Sequence, residues 1–139
     1  MKRFQKILCT LMALALVAII PAAAFAVNPN TQTKRSSGAD GYMDVTYGVR
    51  LTISNPSDKA TVSMSVSPYT TPAYKCTKLT VTPKSGNPHD MSNILSSTGK
   101  SSASTTIGVG YYNTTAAVTA YMSASTVGRG SSSCTLTAS

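Results

Sequence analysis

Tryptophan and glutamate are absent from the 139 residues, and His89 is the single histidine. The two phenylalanines, Phe4 and Phe25, both fall within the first 26 positions. These gaps narrow the chemistry. A paired-carboxylate glycosidase needs two converging acids, whereas this chain offers four dispersed aspartates, Asp40, Asp44, Asp58 and Asp90. There is no G-x-S-x-G nucleophile elbow, and among so many serines none stands out. His89 adjoins Asp90, but neighbouring side chains of an extended segment point to opposite faces and make a poor dyad. Cys76, Cys134 and His89 lack the C-x-x-C or H-x-x-x-H spacing of a zinc site. Asp40-Gly41-Tyr42-Met43-Asp44 lacks the alternating acids and the bidentate Glu of a calcium loop. The sequence therefore predicts a non-enzymatic protein with no catalytic residue, cofactor or metal.

What the chain does have begins with an export signal. Lys2, Arg3 and Lys6 precede an apolar run from Ile7 to Ile20, broken by Pro21 and followed by Ala22-Ala23-Ala24-Phe25-Ala26. A basic start, a short apolar stretch and small residues at the −3 and −1 positions form the signal-peptide pattern. The run is shorter than the roughly 18–20 residues of a membrane-spanning helix. Residues 1–26 are thus expected to be cut off after Ala26, leaving a secreted chain without a transmembrane segment. Cys9 leaves with the signal.

The remaining part carries nine cations against four aspartates, a net +5. Only Lys34 and Arg35 are adjacent. A nucleic-acid binder clusters its cations on one face, so no nucleic-acid partner is expected. With Phe and Trp gone, the core must be built from Val, Ala, Leu, Ile, Met and Tyr. Such a core is thin, because these side chains mostly bury less area than large aromatics. Cys76 and Cys134 are the two cysteines left. In an oxidising compartment they are expected to pair, closing a loop of about 59 residues worth roughly 4 kcal/mol in chain entropy.

Period-2 alternation dominates the rest. Residues 27–41 are polar with no apolar period and read as a flexible leader, followed by one domain over 42–139. Val45, Tyr47, Val49, Leu51 and Ile53 alternate with polar neighbours, as do Ala60, Val62, Met64 and Val66 after the Asn55-Pro56-Ser57-Asp58 turn. Together these predict a hairpin. In the next strand, near Tyr74–Thr82, the parity changes between Cys76 and Leu79. A β-bulge near Thr77-Lys78 would place Tyr74, Cys76, Leu79 and Val81 on one face. Met91, Ile94 and Leu95 fall at i, i+3, i+4 and predict a short helix near 88–96. Strands then follow at Ala103–Tyr111, Ala116–Ala124 and Ser132–Ala138. About six strands at these spacings imply an antiparallel β-sandwich or small open barrel.

Two surfaces suggest function. Thr61, Ser63, Ser65 and Ser67 form an outward hydroxyl row, which a secreted sheet also uses simply to face water. Tyr112 and Tyr121 flank the Asn113-Thr114 turn with equal parity and are expected to pair across strands as an exposed contact surface. The implied role is a small extracellular or envelope-associated binding domain, its partner a cell-wall glycan or a surface protein. In size, export signal and strand-only patterning the chain also resembles small secreted β-sandwich bacteriocins. That resemblance implies, as the alternative, an antimicrobial effector.

Overall fold

The computed structural model describes residues 25–54, 57–110 and 115–139. Most of the signal segment, the Asn55-Pro56 turn, Tyr112 and the Asn113-Thr114 turn lie outside the described residues. The strands are β1 (Phe25–Gly38), β2 (Gly41–Ile53), β3 (Asp58–Ser67), β4 (Ala73–Pro83), β5 (His89–Thr98), β6 (Ser102–Gly110), β7 (Thr115–Thr126) and β8 (Gly130–Ala138). They form two antiparallel sheets of four, ordered β1-β2-β3-β6 and β5-β4-β7-β8. The all-β sandwich expected from the alternation is present. Among the described residues no helix is long and apolar enough to cross a membrane.

The hairpin of β2 and β3 matches its pattern. Val45 pairs with Val66, Tyr47 with Met64, Val49 with Val62 and Leu51 with Ala60, and all eight are buried. The bulge in β4 is also as expected: the register slips between Cys76 and Lys78 against both neighbouring strands. Thr77 is the extra residue, so Tyr74, Cys76, Leu79 and Val81 all end fully buried. Each large apolar side chain so enclosed contributes about 1.5–3 kcal/mol.

Three expectations fail for identifiable reasons. Residues 89–98 are a strand, not a helix. Asn93 adopts a left-handed conformation (φ 54°), and β5 bulges there, with Asn93 and Ile94 lying between the Ser92–Lys78 and Leu95–Cys76 pairs. The bulge shifts side-chain parity, and that shift is what imitates helical spacing. The polar leader is not a loose segment either, for Phe25–Gly38 pairs along almost its whole length with β2. Its signal was hidden because the side chains that β1 turns toward β8 are polar. Asn30 Nδ2 donates to the Thr137 carbonyl (3.1 Å), Lys34 Nζ to Ser133 (3.0 Å) and Ser36 Oγ to Arg129 (2.7 Å). The first two satisfy carbonyls on the free edge of β8, a row that would otherwise invite another strand, and the third a carbonyl of the turn just before it.

The third failure is the disulfide. Cys76 and Cys134 are both buried free thiols. Each stands opposite Met122, one on β4 and the other on β8, so β7 runs between them. Two strand spacings amount to about 9–10 Å between Cα atoms, beyond the roughly 7 Å a disulfide can bridge. Sequence shows that two cysteines share a face but not that a strand separates them.

Tyr47 and Tyr74 are the largest side chains in the core. Tyr74 donates its hydroxyl to the Ser101 carbonyl at 2.8 Å. The Tyr47 hydroxyl sits beside Ser132 and the Ala124 backbone but makes no hydrogen bond of good geometry. An unsatisfied buried hydroxyl costs about 1–3 kcal/mol. Tyr47→Phe is therefore expected to stabilise the fold by about 1 kcal/mol, read as a rise in the urea midpoint at unchanged slope. A midpoint that falls by as much would show that the hydroxyl is bonded after all.

Candidate functional site

Strand direction sorts the connections. β2, β4, β6 and β8 run one way and β1, β3, β5 and β7 the other. One end of the sandwich therefore gathers the β1–β2 turn, the β3–β4 loop, the β5–β6 loop and the β7–β8 turn. We term it the apex. The opposite end, the base, carries the start of β1, the end of β8 and the β4–β5 loop.

The apical connections are tied to one another. The Asp40 amide donates to the Gly128 carbonyl (2.7 Å), joining the two hairpin turns. The Gly99 amide donates to Pro72 (3.1 Å) and the Val66 amide to Ser101 (3.0 Å), fixing the β5–β6 loop against the β3–β4 loop. Thr70 and Thr126 share a hydroxyl bond of 3.1 Å. The hairpin turns meet so closely that a Cβ on Gly38 would lie 2.8 Å from the Gly128 carbonyl carbon and 3.0 Å from Arg129 Cα. Gly128 (φ 81°) and Gly130 (φ 86°) lie in the region that glycine tolerates best.

This rigid end displays apolar surface. Tyr42, Tyr69 and Val127 are the large hydrophobic side chains left exposed among the described residues, at 45, 64 and 97 %. Tyr42 opens β2, Tyr69 lies in the β3–β4 loop and Val127 tips the β7–β8 turn. Beside Val127, a depression of about 330 Å³ is lined by Thr71, Pro72, Thr98 and Ser125. Cations frame the surface. Arg35 makes a two-pronged contact with Asp44 (2.7 and 2.8 Å) and lies 4.1 Å from the centre of the Tyr42 ring. Arg129 Nη1 donates to the Tyr42 carbonyl at 3.0 Å. The Arg35 hydrogen bond holds the Asp44 carboxyl below the ordinary carboxylate range, so the cluster stays charged at neutral pH. The arrangement can bind, with rigid aromatic and aliphatic knobs beside fixed charges. It brings no nucleophile and base together.

The residues singled out by sequence lie elsewhere. Tyr121 is half-buried on the outer face of the β5-β4-β7-β8 sheet. Its ring carries the Lys78 ammonium at 4.4 Å, and Lys78 in turn meets Asp90 at 3.5 Å. The Asn113-Thr114 turn lies outside the described residues, and the strands on either side of it, β6 and β7, belong to different sheets. β7 is flanked by β4 and β8, and Tyr112 lies outside the described residues. The Cys76 and Cys134 thiols are pushed up in pKa by burial. Asp90 accepts from Thr80 Oγ1 at 2.6 Å, the largest of the contacts that lower its pKa. In the outward hydroxyl rows, Thr61 bonds Thr106 (2.7 Å) and Thr33 bonds Thr46 (2.9 Å). Sequence reasoning missed the apex because Tyr42, Tyr69 and Val127 are scattered along the chain. Their signal was a place in turns, where exposed Tyr and Val have no core to serve. Comparisons with protein-family models, with curated proteins and with solved structures find no match to this chain.

Proposed function

We propose that this chain is a secreted, non-enzymatic binding module of the extracellular space or cell envelope, and that its apex is the contact surface. The observation that carries this reading is the set of exposed side chains, Tyr42, Tyr69 and Val127, on loops bonded to one another. Loops held in place before binding lose little conformational freedom when a partner arrives. Tyrosine supplies large, stiff contact area and tends to dominate interface energies. A surface protein suits this end better than a polysaccharide, because the knobs project and the neighbouring depression is shallow. The start of β1 and the end of β8 both lie at the base, away from the contact. Cleavage after Ala26 removes from β1 only the Phe25–Ile53 and Ala26–Thr52 pairs, and the strand from Val27 onward keeps its partner.

The test is retention of the secreted form, expected to begin at Val27, on surface-protein extracts, cell-wall fractions and glycan arrays. Tyr69→Ala with Val127→Ser is expected to weaken retention by about tenfold or more. The same changes should move stability by no more than about 0.5 kcal/mol, since both side chains face solvent. Retention that survives the double variant unchanged would place the contact surface elsewhere. No retention on any of the three would remove the binding reading.

A further inference from the structure

The four sheet edges are not equally guarded. β1 carries Lys34 and Arg35 and a register slip between Val27 and Asn30. β8 has two of its carbonyls, those of Ser133 and Thr137, capped by side chains of β1. β5 begins with His89 and Asp90 and is kinked by its left-handed Asn93. β6, SASTTIGVG, has no charge and no proline, and it pairs regularly with β3 from Ser102 to Gly108. Natural sheets blunt their edges with charge, proline or bulges; β6 uses none of these over Ser102–Gly108, its one register slip falling beyond that stretch at Val109.

The sandwich is also open on this side. Where β1 packs closely along β8, β5 and β6 barely touch, leaving a groove of about 350 Å³ lined by Ile94, Leu95, Lys100 and Ala103. Of the core-flanking apolar side chains that stay partly exposed, Met91, Ile94, Leu95, Ala103 and Ile107 all belong to these two strands. The hydrophobic core is thus incompletely covered along one edge, and that edge is the unguarded one.

The geometry points to a two-fold dimer in which β6 of one copy adds antiparallel to β6 of a second, joining their β1-β2-β3-β6 sheets into one sheet of eight. A second copy is the fitting occupant because the strand is complementary to itself. With Thr105 on the two-fold axis, Ala103 meets the partner's Ile107 and Ser104 meets the partner's Thr106. Apolar side chains face apolar ones on the inner side, hydroxyls face hydroxyls on the outer side, and no like charges oppose each other. The main-chain groups of the free edge gain partners, and Ala103 and Ile107, half-exposed in one copy, become covered. Because the strands are antiparallel, the two apices point in opposite directions.

Sedimentation of the secreted form across the micromolar range is expected to show a monomer–dimer equilibrium. Ser104→Lys combined with Thr106→Lys sets lysine against lysine twice across the axis, on exposed positions that leave the inner face intact. It should weaken the dimer by about tenfold or more, while the thermal midpoint falls by only a few degrees at most, since Thr106 also gives up its exposed bond to Thr61. Mixing it with the Ser104→Glu, Thr106→Glu variant should restore a mixed dimer, which a merely misfolded variant could not do. Thr105→Cys, lying on the axis, should oxidise to a covalent dimer. A strictly monomeric wild type overturns the proposal. So does a dimer indifferent to the paired lysines, or one in which Thr105→Cys fails to cross-link.

Discussion

Gly38→Ala is expected to cost about 2–4 kcal/mol of folding stability, while Gly99→Ala costs about 1 kcal/mol. At Gly38 the added methyl meets main-chain atoms of Gly128 and Arg129, closer than ordinary Cβ contacts. No flexible side chain can turn aside there, so the hairpin turns must part. Parting them forfeits the Asp40–Gly128 bond and strains the Ser36–Arg129 bond, each worth about 1 kcal/mol net, and loosens the packing between them. Gly99 provides the contrast. Its φ of 73° is unfavourable for alanine, but nothing lies within 4 Å of the new methyl, so only the backbone strain of about 1–2 kcal/mol or less applies. For a domain of this size the Gly38 change should lower the melting temperature by roughly 10 °C or more. It should also weaken binding at the apex, because the turns that hold Tyr42 and Val127 separate. Equal midpoints for the two variants in urea would mean that the turns are not docked as described.

The second large effect is a loss of stability in alkali. Burial raises the pKa of four groups that are neutral when protonated: Cys76, Cys134, Tyr47 and Tyr74. In the unfolded chain the thiols ionise near pH 8.5 and the phenols near 10. Above those values the unfolded state sheds protons that the native state keeps, so the native state is the one disfavoured as pH rises. The stabilising difference is whole below about pH 8.5 and declines until the raised native pKa values are passed. Each group contributes a slope of up to about 1.4 kcal/mol per pH unit while it titrates in only one state. Denaturant midpoints should hold steady from pH 6 to 8, fall between 9 and 10 as the thiols titrate, and fall more steeply above 10. Replacing both cysteines by alanine should flatten the first part of that decline and leave the second. Thiol reagents should find two reactive groups only after unfolding. Stability that stays level to pH 10.5 would contradict the burial of these groups.

Much of the fold was legible in the sequence wherever one face met a hydrophobic partner. β2 and β3 alternate cleanly because each sits inside a sheet with its inner residues on the core. Even the bulge of β4 was readable, since Cys76 and Leu79 could share a face only if one residue were extra. Legibility ended where the inner face was not apolar or the strand not regular. β1 turns Asn30, Lys34 and Ser36 toward β8 and so carries no hydrophobic period. In β5, the left-handed Asn93 converts strand parity into an apparent i, i+3, i+4 stripe. The order of strands across a sheet leaves no mark in local pattern, which is why the Cys76–Cys134 bridge was expected and does not form. The candidate site was least visible of all. Its residues come from three separate connections, and only the alternating direction of the strands brings those connections to one end.

The seam between β1 and β8 joins positions as far apart as Asn30 and Thr137, 107 residues along the chain. Chains emerge N-terminus first, during synthesis and during export alike. The first strand to appear therefore waits for the last before its Asn30 amide and Lys34 ammonium find their carbonyls. Those groups are polar, so the waiting strand can stay hydrated and offers little for aggregation to seize. Completion is then a late event. The final nine-residue strand delivers the acceptors for the first and places Leu136 and Ala138 over the core in a single step.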